Sequence, residues 1–298
     1  MAYKSGFVAI VGRPNVGKST LLNNILRQKI VITSDKPQTT RRRLRGIYTS
    51  EKGQIVFVDT PGIHRPLHKM GEFLLEEAKL AIPDADLILF LVDGSDAAGP
   101  GDKWIVDNLL AIDIPIILVV NKVDRIKSIE KREEIIHSYK QLLGERKVPT
   151  VKISAKTGRN IDTLVNNIYR KLPAGPAYFP EEDVTDQNTR AITEELIREK
   201  ILHNTSEEIP HSVAVMIDQF QETDSLVKIS ATIFVEQDSQ KGILIGKGGS
   251  MLKTIGSEAR KDIEELTQKK VFLELFVKVK KDWRKKDSDI KGFGYVSE

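Results

Sequence analysis

The chain has 298 residues, of which 40% are hydrophobic and 30% are charged, and its formal net charge at pH 7 is +4. This length allows two domains of ordinary size, and the apolar content excludes a chain that is disordered throughout. Because the sequence holds no cysteine, disulfides, thiolate nucleophiles and cysteine-ligated metal sites are excluded, which fits a reducing compartment.

Residues 1–173 alternate short apolar runs with helical patterns. Continuous apolar runs are typical of strands that are buried on both faces of a parallel sheet. The predicted strands cover 7–11, 55–59, 87–93, 114–121 and 150–154, and the predicted helices cover 18–28, 70–81, 102–111, 129–143 and 161–171. This alternation predicts an α/β domain with a mixed, mostly parallel sheet and helices on both faces.

A proline-rich segment follows the first domain. We predict a linker at 174–183 and a smaller α+β domain at 184–298. The helices predicted there cover 188–204 and 250–267, and the strands cover 212–220, 226–237 and 270–280. Acidic side chains outnumber basic ones from residue 181 onward, so nucleic-acid binding by this domain would need a local basic cluster.

A glycine-rich segment, GRPNVGKST at 12–20, lies between the first predicted strand and the first predicted helix. It matches the pattern GxxxxGK[ST], in which backbone N–H groups wrap around phosphates. Lys18 would reach the β- and γ-phosphates, and the Ser19 hydroxyl would bind Mg²⁺. The pattern alone fits ATP as well as GTP. The predicted phosphate-binding residues are Gly12, Arg13, Pro14, Asn15, Val16, Gly17, Lys18, Ser19 and Thr20.

Three later motifs, each at the carboxyl end of a predicted strand, favour GTP. In DTPG, Asp59 would hold a magnesium-bound water and the Gly62 N–H would donate to the γ-phosphate. In NKVD, Asp124 would accept from the paired N–H donors of guanine, which adenine lacks. In SAK, the Ala155 N–H would donate to the guanine carbonyl. The predicted residues are Asp59, Thr60, Pro61, Gly62, Asn121, Lys122, Asp124, Ser154, Ala155 and Lys156.

These motifs, in this order, resemble those of the translation-factor-related class of GTPases. The resemblance implies that 33–45 is the first switch and that the Thr40 hydroxyl completes the magnesium coordination, with Thr39 as the alternative. It implies catalytic roles for Lys18, Thr40 and Gly62. An arginine run within this segment predicts either a solvated loop or a face that contacts phosphates or a partner. The run consists of Arg41, Arg42, Arg43 and Arg45.

Two positions bear on the hydrolysis rate. Ras-like enzymes place a water-orienting glutamine directly after the glycine of the DxxG motif, but this chain has Ile63 there. An aliphatic side chain cannot orient water, so we expect slow intrinsic hydrolysis. The next residue, His64, could orient the water in place of glutamine; the alternative is a surface histidine with no part in hydrolysis. Asn15 in the phosphate loop implies, by the same resemblance, a K⁺ site beside the phosphates, or else an asparagine that only stabilises the turn.

The stretch 242–265 carries the main signal of the second domain. The sequence Gly246-Lys247-Gly248-Gly249 would join two helices as a GxxG loop, whose small residues let a nucleic-acid backbone approach closely. Residues 240–261 hold five basic side chains and a single acid, so this face is basic. A helix-ending turn would explain the glycines alone, but the order α–β–β–α–GxxG–α–β favours a KH type II domain that binds RNA.

The C-terminal stretch places Trp283 within a basic cluster. This predicts backbone contact and base stacking, or else a solvated edge strand protected by lysines. Ile243 and Ile245 are predicted to point into the RNA groove. The predicted RNA-binding residues are Ile243, Ile245, Gly246, Lys247, Gly248, Gly249, Lys253, Lys278, Lys280, Lys281 and Trp283.

The whole chain, a GTPase domain followed by a KH domain, resembles the Era family of bacterial GTPases. The stretches that carry the resemblance include GRPNVGKSTLLNN, VDTPGIH, VNKVD, IGKGG and LELFVKVKKDW. It implies binding to the 3′ region of 16S rRNA, 16S rRNA processing and biogenesis of the 30S ribosomal subunit. It also implies peripheral association with the inner membrane. The alternative is a GTPase whose second domain binds protein or the membrane surface rather than RNA.

Cellular location and oligomeric state follow from simpler features. The longest apolar runs, LILFLV and IPIILVV, are too short to span a bilayer, and the first residues lack the segments of a signal peptide. We therefore expect a cytoplasmic protein. The resemblance to the Era family adds that it attaches peripherally to the cytoplasmic face of the cell membrane. No coiled-coil pattern is present, so we expect a monomer.

Overall fold

The computed structural model describes residues 2–34, 36, 39–41, 44–60, 62, 73 and 83–295. Two compact units are present. The first contains most of the described chain up to Asp186, and the second runs from Gln187 and includes the described residues of 32–39. Nearly all of the predicted helix at 70–81 lies outside the described residues, as do Pro61, Ile63, His64, Arg42 and Arg43.

The first unit contains a six-stranded sheet in the order β2-β3-β1-β4-β5-β6. Its strands are β1 (Lys4–Val11), β2 (Leu44–Ser50), β3 (Gly53–Asp59), β4 (Leu87–Asp93), β5 (Ile116–Asn121) and β6 (Thr150–Lys152). All neighbouring strands are parallel except β2 and β3, which are antiparallel. The prediction of a mixed, mostly parallel sheet is confirmed.

Helices cover both faces of this sheet. They are α1 (Lys18–Leu26), α2 (Pro100–Leu110), α3 (Ile129–Leu142) and α4 (Ile161–Lys171). Helices α1 and α4 pack into one hydrophobic core and helices α2 and α3 into another. Strands β3, β4 and β5 are buried along their whole length between these cores, which explains their continuous apolar sequences.

Strand β2 has no counterpart among the predicted strands. Its sequence, LRGIYTS, holds few apolar residues, and most of it is only partly buried at the sheet edge. It pairs with β3 from Leu44 opposite Asp59 to Ser50 opposite Gly53. An edge strand is less buried than a central strand and therefore needs fewer apolar residues. Its apolar pattern is too weak to predict it.

The predicted linker is bound to the first unit. The buried side chain of Gln54 on β3 accepts from the N–H groups of Tyr178 (2.7 Å) and Phe179 (3.0 Å) and donates to Phe179 O (2.9 Å). Further on, the Ile47 N–H donates to Val184 O (2.9 Å). The first unit therefore extends beyond the predicted boundary at 173, because a buried amide requires hydrogen-bond partners.

We expect Gln54→Leu to lower the free energy of unfolding by about 2–3 kcal/mol, since it removes the three part-buried hydrogen bonds that hold the backbone of 178–179. Urea unfolding of the full chain measures this change. The exposed Gln141 supplies the control, because Gln141→Leu removes an amide that has no buried partner. Equal stability of the two variants would mean that the linker is not held through Gln54.

The second unit is a helix and sheet assembly with its own core. Its helices are α5 (Thr189–Asn204), α6 (Ile209–Ser212), α7 (Asp238–Ile245), α8 (Ser250–Thr267) and α9 (Asp287–Gly292), and its strands are β7 (Ala214–Glu222), β8 (Leu226–Val235) and β9 (Lys270–Val279). The sheet order is β7-β8-β9, with β7 antiparallel and β9 parallel to β8. Apolar side chains of α5 and α8 cover one face of this sheet.

This arrangement confirms the predicted KH-type order of elements. Helices α7 and α8 are joined by the glycine-rich loop, and β9 forms one edge of the sheet. Helix α5 begins where the Asn188 side chain accepts from the Ala191 N–H (2.9 Å). Within the ranges that the structure describes, we find no helix whose length and hydropathy would suit a membrane span.

Candidate functional site

The phosphate-binding loop runs from the end of β1 to the start of α1. Gly17 has a φ of 101° and immediately precedes the helix. A Cβ atom on Gly17 would lie 2.3 Å from Asn121 Nδ2, and one on Gly12 would lie 2.2 Å from Leu91 O. Both positions therefore require glycine, and they place the N-terminus of α1 where it can bind an anion.

The Lys18 ammonium lies over this loop. Its Nζ donates to Gly12 O (3.2 Å) and Arg13 O (3.0 Å), and the residue is buried. Burial lowers the pKa of Lys18 to about 8, although the nearby Asp59 carboxylate acts in the opposite direction. A phosphate beside this ammonium would favour its charged form, so Lys18 is well placed to bind one.

Three oxygen-bearing side chains meet beside the loop. Ser19 Oγ donates to Asp59 Oδ2 (3.0 Å), and Thr40 Oγ1 lies 3.1 Å from Ser19 Oγ and 3.3 Å from Asp59 Oδ2. Asp59 is fully buried, and its Oδ1 has no hydrogen-bond partner among the described residues. Burial raises the pKa of its carboxyl, against the effects of Lys18 and the two hydroxyls. These oxygens suit Mg²⁺, which prefers hard oxygen ligands.

The Thr39 hydroxyl points elsewhere. Its Oγ1 donates to Lys36 O (2.7 Å), so the structure places Thr40, and not the alternative Thr39, beside Ser19. The described residues of 32–39 belong to the second unit, where buried charged residues of α5 hold them. The Thr33 N–H donates to Glu199 Oε1 (2.8 Å), and the Arg198 guanidinium donates to Thr39 O.

The arginine run is not a uniform solvated face. Arg41 is 1% exposed, and the Arg45 guanidinium lies 3.6 Å from the Asp186 carboxylate within the first unit. For Arg41, the expectation of a solvated loop is therefore wrong. Arg45 stays exposed and forms its ion pair at the surface.

The base-recognition motifs lie at the ends of β5 and β6. Asn121 Nδ2 donates to Val16 O (2.8 Å), which ties NKVD to the phosphate loop. Lys122 Nζ donates to Asn15 O (2.7 Å) and pairs with the Asp93 carboxylate at 2.5 Å. Asp93 ends β4 and was not predicted as a site residue, although its position after a buried strand is the signal that could have identified it.

Asp124 is exposed at this edge of the sheet. A hydrogen bond from the buried Ser154 lowers the pKa of its carboxyl, so it is an acceptor at neutral pH. A carboxylate that is held in this way can accept from two neighbouring N–H donors. The geometry therefore supports guanine recognition by Asp124 and gives Ser154 the role of orienting it.

The role predicted for Ala155 requires correction. Its N–H donates to Asn121 Oδ1 (2.8 Å) and is buried, so this donor is already used inside the protein. In this structure the next N–H along the loop belongs to Lys156. The sequence could not reveal the hydrogen bond of Ala155, because its acceptor is a side chain on another strand.

Arg13 joins the phosphate loop to α2. Its Nε lies 3.0 Å from Oδ1 of the buried Asp102, whose Oδ2 accepts from the Gly99 N–H (2.9 Å). The predicted phosphate contact of Arg13 is therefore limited to its backbone. Asp102 was not predicted, although its place three residues after Gly99 fits a helix-capping position.

The glycine-rich loop of the second unit is open. Gly248 and Gly249 have φ values of 61° and 81°, and a Cβ atom at either position would meet nothing within 4 Å. Lys247 is exposed beside them. An open loop with a positive charge, directly before the N-terminus of α8, can accommodate a phosphate group.

A groove of about 440 Å³ lies between α8 and β9. We call it the α8–β9 groove; its lining residues include Gly249, Leu252, Lys253, Gly256, Arg260 and Phe272. Of the predicted RNA-binding residues, Gly249 and Lys253 line it. Ile243, which was predicted to point into the RNA groove, is 53% exposed next to the fully buried Leu244 and is not among the residues that line this groove. Ile245 does not line the groove either.

The prediction that Trp283 stacks on bases is also wrong. Its side chain is fully buried, its Nε1 donates to Ser212 O (2.8 Å), and its ring packs edge-on against Phe293. Lys280 pairs with Asp289 at 3.0 Å and lies over the Phe293 ring. Lys278 and Lys281 remain exposed. The sequence around Trp283 is basic and does not indicate a core, but Trp283 belongs to an aromatic cluster that stabilises the C-terminal segment.

Two family models match the chain. The model of 50S ribosome-binding GTPases matches residues 7–122, and the model of KH domains matches residues 208–284. The first range contains the phosphate loop, DTPG and the first two residues of NKVD, and the second contains the glycine-rich loop with its groove. Asp124 and the SAK motif follow the end of the first range.

Relatives match over nearly the full length. GTPase Era of Nostoc sp. is 54% identical over 296 residues, which cover 99% of this chain and 91% of the relative. GTPase Era of Carboxydothermus hydrogenoformans is 50% identical over 299 residues, 99% of each chain. The structure of Aquifex aeolicus Era bound to GDP.AlF4- matches with a TM-score of 0.95 at 40% identity, over 99% of this chain and 100% of that one. The same values apply to a structure of Era with MgGDPNP and nucleotides 1506–1542 of 16S ribosomal RNA. The chain belongs to the Era family of GTPases.

Proposed function

We propose that this GTPase is a switch that binds the 3′ region of 16S rRNA through its second unit. One observation carries the proposal: a single chain combines a guanine site around Asp124 with an open glycine loop that leads into a basic groove. The relative that was solved with 16S rRNA nucleotides supports the identity of the RNA. The site around Asp124 can select guanine through hydrogen bonds, and the glycine loop has room for the phosphate backbone of an RNA.

In the nucleotide half, Mg²⁺ would be held by the hydroxyls of Ser19 and Thr40 and, through water, by Asp59. The ion supplies charge stabilisation to the β- and γ-phosphates when it is bound. Lys18 contributes a second positive charge, and the Gly62 N–H would donate to the γ-phosphate. The complex of a relative with MgGDPNP supports the choice of ion.

The test is to recover RNA from a cell lysate by crosslinking. The protein is crosslinked once with a non-hydrolysable GTP analogue and once with GDP, and the bound RNA is sequenced. Enrichment of the 16S 3′ end in the GTP state supports the whole proposal. Equal enrichment in both states keeps the RNA partner but removes nucleotide control.

The biological role that we propose is biogenesis of the 30S subunit, including 16S rRNA processing. Attachment to the cytoplasmic face of the membrane and a monomeric state remain predictions. The alternative is a second unit that binds protein or a membrane surface. Failure to enrich any RNA in either nucleotide state would favour that alternative.

We expect slow basal hydrolysis, on the order of 10⁻⁴ to 10⁻² per second. The reason is that the position after Gly62 is Ile63, whose side chain cannot orient water. Phosphate release from the purified protein with saturating GTP and Mg²⁺ measures this rate. A basal rate above about 1 per second would mean that the chain holds a complete catalytic set.

Hydrolysis is expected to be faster in potassium than in sodium chloride at equal ionic strength. Asn15 adopts a φ of 64° in the phosphate loop, and its carbonyl accepts from Lys122. A K⁺ beside it would add positive charge near the transferred phosphate. Asn15→Ala should abolish the difference between the salts, and Asn166→Ala on α4 should keep it. Equal rates of the unmodified protein in both salts would rule out the ion site.

A further inference from the structure

The sheet of the second unit has one face that is free of helices α5 and α8. Residues alternate along β9, so Val271, Leu273 and Leu275 contribute to the core while Phe272 and Phe276 point away from it. Phe272 is 53% exposed and Phe276 is 50% exposed. Two large apolar rings on one strand, each half in solvent, are costly unless something covers them.

Polar and basic side chains surround these rings. In the register of the parallel pair, Lys228 of β8 lies opposite Phe272 and Ser230 lies opposite Glu274. Lys278 follows Phe276 by two residues on the same side of β9. In the described part of the chain, neither lysine forms an ion pair, and no side chain or N–H donates to the Glu274 carboxylate. We call this set the outer aromatic face: Lys228, Ser230, Phe272, Glu274, Phe276 and Lys278.

The chemistry of the outer aromatic face matches single-stranded nucleic acid. The two rings lie four residues apart, or about 13 Å along the strand, and aromatic residues on other sheets stack two or three bases. The flanking ammonium groups can neutralise phosphates. The Glu274 carboxylate between the rings can accept from the exocyclic amines of cytosine, adenine or guanine, whereas uracil has no such amine.

The outer aromatic face is continuous with the α8–β9 groove, because Phe272 also lines that groove. A strand that leaves the glycine loop and follows α8 would therefore reach the edge of β9 at Phe272. We propose that RNA bound in the α8–β9 groove continues over β9 and stacks bases on Phe272 and Phe276. This inference rests on the proposed RNA-binding function and extends it to a second contact area.

The test compares two RNAs from the 3′ end of 16S rRNA, one of four nucleotides and one of twelve. A KH loop clamps about four nucleotides, so the short RNA reports on the groove alone. The variant Phe276→Leu keeps an apolar side chain but removes the ring that lies outside the groove. It should bind the short RNA like the unmodified protein and bind the long RNA about 10- to 100-fold more weakly.

Control variants separate stacking from other effects. Phe276→Trp, which keeps an aromatic ring, should bind the long RNA as tightly as the unmodified protein does, and Gly248→Asp should weaken the binding of both RNAs. Glu274→Leu should reduce the preference for cytidine over uridine at the positions that reach the outer aromatic face.

The remaining outcomes overturn the inference. Unchanged binding of the long RNA by Phe276→Leu would show that RNA does not continue over β9 and stack there. If the unmodified protein sediments as a dimer and Phe276→Leu sediments as a monomer with unchanged RNA binding, the outer aromatic face is a surface for self-association instead. If the unmodified protein binds neither RNA, the proposed function fails first and this inference fails with it.

Discussion

Replacing Asp124 with asparagine is expected to weaken GTP and GDP binding by at least about 10³-fold. The carboxylate presents two acceptors to the two N–H donors of guanine, and Ser154 holds it in place. An asparagine presents one acceptor and one donor, so one N–H of guanine would face another N–H. Xanthine carries a carbonyl where guanine has its amine, so the variant should bind xanthosine nucleotides more tightly than the unmodified protein does.

Calorimetric titration with GDP and XDP measures both changes. Asp162→Asn is the matched control, because Asp162 is an exposed carboxylate in the first turn of α4 and belongs to no nucleotide motif. It should leave both affinities unchanged. If Asp124→Asn binds GDP as tightly as before, another group selects the base and the interpretation of NKVD is wrong.

The second large effect concerns the glycine loop. We expect Gly248→Asp to weaken RNA binding by at least about 100-fold, because a carboxylate would stand where a phosphate approaches, and such like-charge contacts cost several kcal/mol. A Cβ at this position meets nothing within 4 Å. Aspartate also tolerates the left-handed backbone better than most residues, so the domain should still fold.

Gly144 offers a close control. Its φ is 62°, compared with 61° for Gly248, and a Cβ there also meets nothing within 4 Å. Gly144→Asp therefore imposes the same backbone cost and charge change at the end of α3, in the GTPase unit. Fluorescence anisotropy with the twelve-nucleotide RNA compares the two variants. Equal loss of binding in both would point to a general effect of charge, and no loss in Gly248→Asp would favour a protein or membrane partner.

The nucleotide site was largely predictable because its signals are local. Asp59 and Asn121 are the last residues of the buried strands β3 and β5, and parallel strands bring their carboxyl ends to one edge. Asp59 and Asn121 therefore lie where the sequence predicts. The role of the Ala155 N–H was not predictable, since it depends on a side chain that is 34 residues away in sequence.

The second unit shows two further limits. A helix turns by about 100° per residue, so a small difference in the register of α7 decides which side chain faces the core, and the structure gives that place to Leu244 rather than to Ile243. Trp283 illustrates the other limit. An indole within a lysine-rich segment suits a surface or a core equally well, and only its contacts with Ser212 O and Phe293 decide between them.

The side chain of Asn121 has a consequence for the dynamics of the guanine site. Its amide donates to Val16 O in the phosphate loop and accepts from the Ala155 N–H in the last motif. Three loops that are distant in sequence are therefore joined through one residue. None of them can open without breaking a hydrogen bond to another, so their amide protons should exchange with solvent as a single cooperative unit.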